Sequence, residues 1–170
     1  MINYISQICI NKTDTMNNVN HTDRTLVELL RELVISETRL AIATREAHWN
    51  VTGPAFFSLH ELFGQQYATL DGFIDDIAER VRQLGQGVSG SPLMGATEIS
   101  PDADELLMRL SEKHQKLEAL LRKTIALAQD RQDEATADLL TGVLKEHGKM
   151  LWMLRASVQV KHPELINIPA

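Results

Sequence analysis

Four runs of helical apolar periodicity, joined by two short breaks and one long one, constrain this chain more than any other feature. Leu26, Leu29, Leu30, Leu33, Leu40 and Ala47 fall on one side of a helix, with Thr22 or Asp23 as its N-cap. Gly53-Pro54 stops that run. A second run carries Leu59, Leu62, Phe63, Leu70, Phe73, Ile74, Ile77, Val81 and Leu84 and ends at Gly85. Ser100-Pro101-Asp102 starts the third with a cap, a proline at the first position and an acid at the positive end of the dipole. This run reaches about Gln129. The fourth begins near Asp133, carries Leu139, Leu140, Val143, Leu144, His147, Leu151 and Leu154, and has Pro163 as its limit.

Connection length then selects the topology. The first and third connections are a few residues long and join antiparallel neighbours. Residues 85–101 hold four glycines and two prolines, with room for a short helical turn at 93–96. A helix of roughly 28 residues is about 42 Å long, and the extended middle connection just spans it. One long crossover between helices two and three, with two short hairpins, is the ferritin-like connectivity; an up-down-up-down bundle has no need of it. The expected fold is therefore an all-α, ferritin-like four-helix bundle. Residues 1–22, rich in Asn and Thr, read as a flexible N-terminal arm, 23–160 as the bundle and 161–170 as a short tail.

Composition agrees. In 170 residues, 44% are hydrophobic but only 5% aromatic, so the core is built from Leu, Ile, Val, Ala and Met. The formal net charge of −6 disfavours nucleic acid and anionic membrane and tolerates cations. The lone Cys9 excludes an intrachain disulfide and suits a reducing cytoplasm. No apolar run approaches the roughly 20 residues of a membrane span. Met16 is an alternative start, which would make residues 1–15 an artefact.

The chemistry-bearing residues concentrate at EAHWNVTGPAFFSLHELF, where His48 and His60 flank the first break. Asp75 and Glu79 project from one face of the second helix, and Asp71 extends the row by a turn. No Glu-x-x-His pair occurs and the central positions read as apolar, so a metal inside the four helices is not expected. Asp75 lies about 22 Å along the helix from His60, so one chain cannot join the four side chains. Two chains can, if their second helices pair antiparallel about a twofold axis, giving two shared sites per dimer. Imidazole with carboxylate suits iron, and also zinc or manganese. Each residue also has a plain reading. A histidine at a helix end can be a packed ring, and an acidic row can be a solvated face. His114 and His147 read as core-edge or surface residues, and His21 and His162 as free terminal ones. Phe56, Phe57 and Phe63 read as apolar surface covered by a neighbouring subunit.

At these residues the chain resembles the Dps family, the mini-ferritins named as DNA-binding proteins from starved cells. The likeness runs from about Leu26 to Val158. It rests on His48-Trp49-Asn50-Val51 with Gly53, on Phe57 and Leu59-His60-Glu61-Leu62-Phe63, on Asp75 with Ile77-Ala78-Glu79-Arg80, on Leu84-Gly85, and on the block Asp133 to Leu140. The resemblance implies a hollow shell of twelve subunits with ferroxidase sites at twofold interfaces. Ferrous iron would be oxidised there by hydrogen peroxide and stored inside as ferric mineral. It further implies Trp49 as a radical trap beside His48. Asp133, Glu134 and Asp138 would line a threefold entry pore.

Two departures follow. The family's acid four residues after the second histidine is Gly64 here; water, Asp71 or Glu61 would have to replace it. The arm has only Lys12 before Arg24, offset by Asp14, so DNA binding should be weak or absent. The competing reading is a DNA-compacting stress protein with a degenerate ferroxidase site.

Overall fold

No glycine or proline stands before Gly53, and the first helix runs on without a break. The computed structural model describes the backbone of residues 3–88 and 100–158, with side chains from residue 25 onward. It contains α1 (Asn3–Asn50), α2 (Phe56–Gln83), α3 (Ala103–Asp130) and α4 (Glu134–Ser157), and no strand among the described residues. α1 does not start at Thr22 or Asp23. With no breaker in the sequence, nothing stops the helix at those caps. Core packing nonetheless starts at Leu26, the position expected from the periodicity. The turn read at 93–96 and the tail 161–170 lie outside the described residues.

The caps explain the other boundaries. α3 is capped by Asp102, whose carboxylate accepts from the Glu105 N–H at 2.9 Å. Ser100, the residue expected to cap, braces this turn instead. Its hydroxyl donates to Glu105 Oε2 at 2.5 Å and its oxygen accepts from the Asp102 N–H at 3.2 Å. Pro101 therefore precedes the helix rather than opening it. α4 is capped by Asp133 and ends at Ser157, short of Pro163, because Val158 is already extended.

Three tertiary contacts fix the topology. The Thr52 hydroxyl, in the α1–α2 turn, donates to the carbonyl of Pro101 just before α3, at 3.2 Å. Arg80, near the end of α2, ion-pairs with Asp133 in the α3–α4 corner at 2.8 Å. The Arg31 guanidinium holds the Gly87 carbonyl at 2.6 and 2.9 Å. α3 thus starts beside the α1–α2 turn and ends beside the end of α2. Residues 88 and 100 therefore lie toward opposite ends of the bundle, as the long connection predicted.

α1 packs on α2 and α3, and α4 packs on α3 and α2. Leu30, Leu33, Phe63, Leu70, Ile77, Leu107, Leu121, Leu140 and Leu154 have no exposure. Each contributes about 1.5–3 kcal/mol through burial. Phe63 belongs to this subunit's own core, not to a face left for a neighbour. Its register with Leu59, Leu70 and Ile77 on α2 points it inward, while Phe57 stands 86% exposed. The interior is also not wholly apolar. Glu37, Thr44, Gln66, His114, Thr124 and His147 are all buried. His114 and His147, read as core-edge or surface residues, are fully enclosed.

Candidate metal centre

The α1–α2 turn builds the histidine pair. Val51 is buried and its N–H completes the last turn of α1 on Ala47. Gly53, at φ 92°, then reverses the chain where a side chain would be strained. α2 returns antiparallel and stacks the His60 ring on that of His48, with centroids 3.6 Å apart and planes 23° apart. Each ring holds the other's backbone. His48 Nδ1 donates to the His60 carbonyl at 2.7 Å, and His60 Nδ1 donates to the His48 carbonyl at 2.8 Å. The His48 carbonyl lies in the last turn of α1, where no helical N–H reaches it, so His60 satisfies an orphan acceptor.

This reciprocity sets the tautomers. A carbonyl only accepts, so Nδ1 carries the hydrogen in both rings. Nε2 is the nitrogen left over, with its lone pair available in the neutral ring. Backbone anchoring of the far nitrogen is the arrangement that orients imidazoles for a metal. Both rings are half-buried and backed by Tyr67 and Phe56.

The other candidates stand where one chain cannot complete a site. Asp75 and Glu79 are exposed, one turn apart on α2. Asp71 is taken by Arg45 at 2.7 Å, and Arg45 in turn covers the Tyr67 ring at 4.6 Å. Glu61 accepts from Gln65 at 2.9 Å. Among the described residues no three His, Cys, Asp or Glu side chains of one chain are arranged to hold a metal ion. Trp49, adjacent to His48, is 65% exposed. Gly64 lies against His48: a Cβ there would sit 3.4 Å from His48 Cε1 and 3.5 Å from Nδ1. Position 64, where the resemblance implies an acid, is therefore next to the histidine ring, and here it carries no side chain.

The α4 acids divide by role. Asp133 is mostly buried, accepting from the Thr136 N–H at 3.1 Å and hydroxyl at 2.5 Å and pairing with Arg80. Burial pushes its carboxyl up, but the two Thr136 hydrogen bonds and then Arg80 outweigh this, and the net shift is downward. Glu134 and Asp138 are exposed.

Sequence reasoning missed one cluster. Glu37, His147 and His114 meet in the bundle interior, joined by contacts of 2.9 Å each. The signal was present: Leu33, Glu37, Leu40 and Thr44 share a face, as do Leu110, His114, Leu117 and Leu121. Polar residues at such stripe positions point inward with their apolar neighbours.

Four helices with one end-to-end crossover define a ferritin-like bundle, and a family model described as a ferritin-like domain matches residues 27–161. The DNA protection during starvation protein of Agrobacterium fabrum is 36% identical over 159 residues, 88% of this chain and 96% of that one. A Dps protein from Bacillus brevis superposes with a TM-score of 0.76 at 29% identity, over 82% of this chain and 98% of that one. A Dps protein from Vibrio cholerae, described as one of a broad superfamily of ferritin-like diiron-carboxylate proteins, gives 0.75 at 28% identity, over 82% and 92%. The chain belongs to the Dps family of mini-ferritins.

Proposed function

We propose that this chain is a ferroxidase that oxidises ferrous iron and stores the ferric product inside a homo-oligomeric shell of twelve subunits. Membership of the family supports iron storage and protection. The observation that carries the finer reading is the His48–His60 pair, whose backbone bonds leave two Nε2 atoms free at a subunit surface. His48 and His60 of one subunit face Asp75 and Glu79 of a neighbour across a twofold axis. The exposed Trp49 and Phe57 beside them supply apolar contact area for that interface, and Trp49 is placed to intercept a stray radical.

Iron is the substrate. Two ferrous ions give one electron each to a single hydrogen peroxide. With two waters the products are two ferric oxyhydroxide units and four protons. Paired oxidation avoids the one-electron step that releases hydroxyl radical. Neutral imidazoles and carboxylates suit both oxidation states of iron, while zinc and manganese would compete for the same donors. Glu134 and Asp138, on the exposed start of α4, draw cations to the entry pore. Asp133 contributes mainly by holding that helix start in place. The cytoplasm is the proposed compartment.

The test is anaerobic ferrous loading of the purified protein, then peroxide, while following oxidation and particle mass. Rapid oxidation by a particle near twelve chains is the expected result. A stable monomer defeats the shared site. A shell that shifts DNA in a salt-sensitive manner but oxidises little iron supports the DNA-compacting alternative, which the missing side chain at Gly64 favours.

A further inference from the structure

α1 and α3 leave a groove of about 280 Å³ between them, the size of a small-molecule pocket, and it shares no residue with the candidate metal centre. Its floor is apolar: Leu40 and Leu117 are buried and Leu120 is half-buried. Its rim carries Arg39, Lys113 and Lys116, all exposed, with the half-buried Ser36 and, as the one acid lining it, the exposed Glu32. α3 starts beside the end of α1, so the two helices run in opposite directions. Register then sets Arg39 toward Lys113, Ser36 toward Lys116 and Glu32 toward Leu120. The three cations gather at one end. Glu32 lies two turns from Arg39, about 10 Å along α1, too far for an ion pair.

These donors are uncommitted, which sets them apart within the chain. Arg31, Arg45, Arg80, Arg82 and Arg109 each hold an acceptor in the same chain. Arg39, Lys113 and Lys116 hold none among the described residues, and Glu112, one turn before Lys116, forms no ion pair with it. Hydroxyls inside helices turn back onto the preceding turn. Thr38, Thr44, Thr69, Ser111, Thr124 and Thr141 each donate in this way to the carbonyl four residues before. Ser36 makes no such bond and has no other partner among the described residues. Four free donors from two helices therefore open on one groove, in a chain whose net charge is −6.

We propose that this groove binds a small phosphate monoester with an apolar body. The phosphate meets Arg39, Lys113, Lys116 and Ser36, and the body lies on Leu40, Leu117 and Leu120. Arginine and lysine only donate, and a phosphate group offers three strong acceptor oxygens. A monoester carries close to two negative charges at neutral pH, which three cations offset by one acid balance. Arg39 supplies a planar fork for two phosphate oxygens, while the lysines act as point charges. A carboxylate matches less well, with one charge and two oxygens for four donors. Duplex DNA also matches less well, because its binding draws on cations spread along many phosphates, and these sit at one end of a short groove. The site is independent of the ferroxidase reading.

The test is isothermal titration calorimetry of the full-chain particle, stripped of iron so that no ferric mineral takes up phosphate. Phenyl phosphate, orthophosphate and benzyl alcohol are the probes. Phenyl phosphate should bind at one site per chain, about tenfold more tightly than orthophosphate, because its ring leaves water for the leucine floor. Benzyl alcohol, with a ring and no phosphate, should not bind. Arg39→Gln and Lys116→Gln should each weaken phenyl phosphate by about tenfold or more, as loss of a charged hydrogen bond requires. Ser36→Ala should weaken it less. Lys149→Gln, which alters an exposed cation on α4 outside the groove, should leave it unchanged. Glutamine is a good helix former, so these exposed positions keep their fold, which circular dichroism and particle mass confirm. Absence of phenyl phosphate binding to the unaltered particle overturns the proposal. So does equal affinity in the unaltered protein and the Arg39→Gln, Lys116→Gln double variant. Orthophosphate binding as tightly as phenyl phosphate, or displacement of phenyl phosphate by a short DNA duplex, overturns the assignment to a small ester.

Discussion

His48 and His60 each donate Nδ1–H to the other's carbonyl, at 2.7 and 2.8 Å, so that each ring is fixed by the backbone of its partner. Replacing one ring therefore leaves the other's backbone bond in place but removes its stacking partner. His60→Ala removes one nitrogen ligand and the ring stacked on His48, and leaves the His48 carbonyl without the hydrogen bond it accepts from His60 Nδ1. Anaerobic ferrous titration should show a loss of affinity of about tenfold or more. Thermal unfolding should show a cost of about 1 kcal/mol for the lost hydrogen bond, beyond the loss of stacking.

Gly64 separates stability from chemistry. A methyl group there meets His48 in ordinary contact, and helix propensity favours alanine by about 1 kcal/mol. Gly64→Ala should raise the unfolding midpoint and leave iron oxidation nearly unchanged. Gly64→Asp should instead raise ferrous affinity, because its carboxylate starts beside His48 Cε1, the carbon bonded to Nε2. Equal oxidation kinetics and equal ferrous affinity in the Asp variant and the unaltered protein would show that the position does not reach the iron.

Acid should destabilise the fold through two groups. His114 has its pKa lowered from 6.5 to about 3, so the unfolded chain binds its proton first as pH falls. The unfolded state then holds more protons than the native state, and stability falls from about pH 6.5 toward pH 3. Asp133 is also shifted down, so its contribution is complete above the unfolded carboxylate value and is lost as pH falls through the folded one. Denaturant melts of the unaltered protein and His114→Phe across this range check the first effect. The variant should show the shallower pH dependence.

The two α4 acids should respond oppositely to substitution. Asp133→Ala removes a cap and the Arg80 pair, and should cost about 1–2 kcal/mol in chemical denaturation. Asp138→Asn touches neither and should leave stability nearly unchanged. It should slow iron uptake, more strongly at low ionic strength where the entry field is least screened. Uptake at the unaltered rate by an intact Asp138→Asn shell would place the route elsewhere.

DNA should not be shifted in gels at physiological salt. The chain carries a net charge of −6, and only Lys12 precedes Arg24. A clear shift lost on deleting residues 1–22 would show that the weak arms of the proposed shell act together.

The bundle was legible because helical periodicity and connection length are both local and both physical. Gly53 and Gly85 take positive φ where the helix-ending signals stood, and Leu26, Leu30 and Leu33 face the core as their spacing required. The start of α1 was not legible, since a good N-cap residue does not by itself stop a helix that has no breaker before it. The histidine pair was visible as two residues, but its reciprocal bonds depend on how tightly the Gly53 turn folds back. Glu37 drew no reading because the stripe was traced through apolar residues alone. Its position in line with Leu33 and Thr44 was the better guide.

Arg80 gives the bond between α2 and the α3–α4 corner a wider consequence. It follows Glu79 directly, and its guanidinium grips both Asp133 and Thr136 at 2.8 Å. The α2 face that carries Asp75 and Glu79 and the start of α4 are thus clamped together by a single side chain. In the proposed shell, where the first would meet one neighbour and the second others, misalignment at either contact would be transmitted to the other, so assembly would be geared through one joint within each chain.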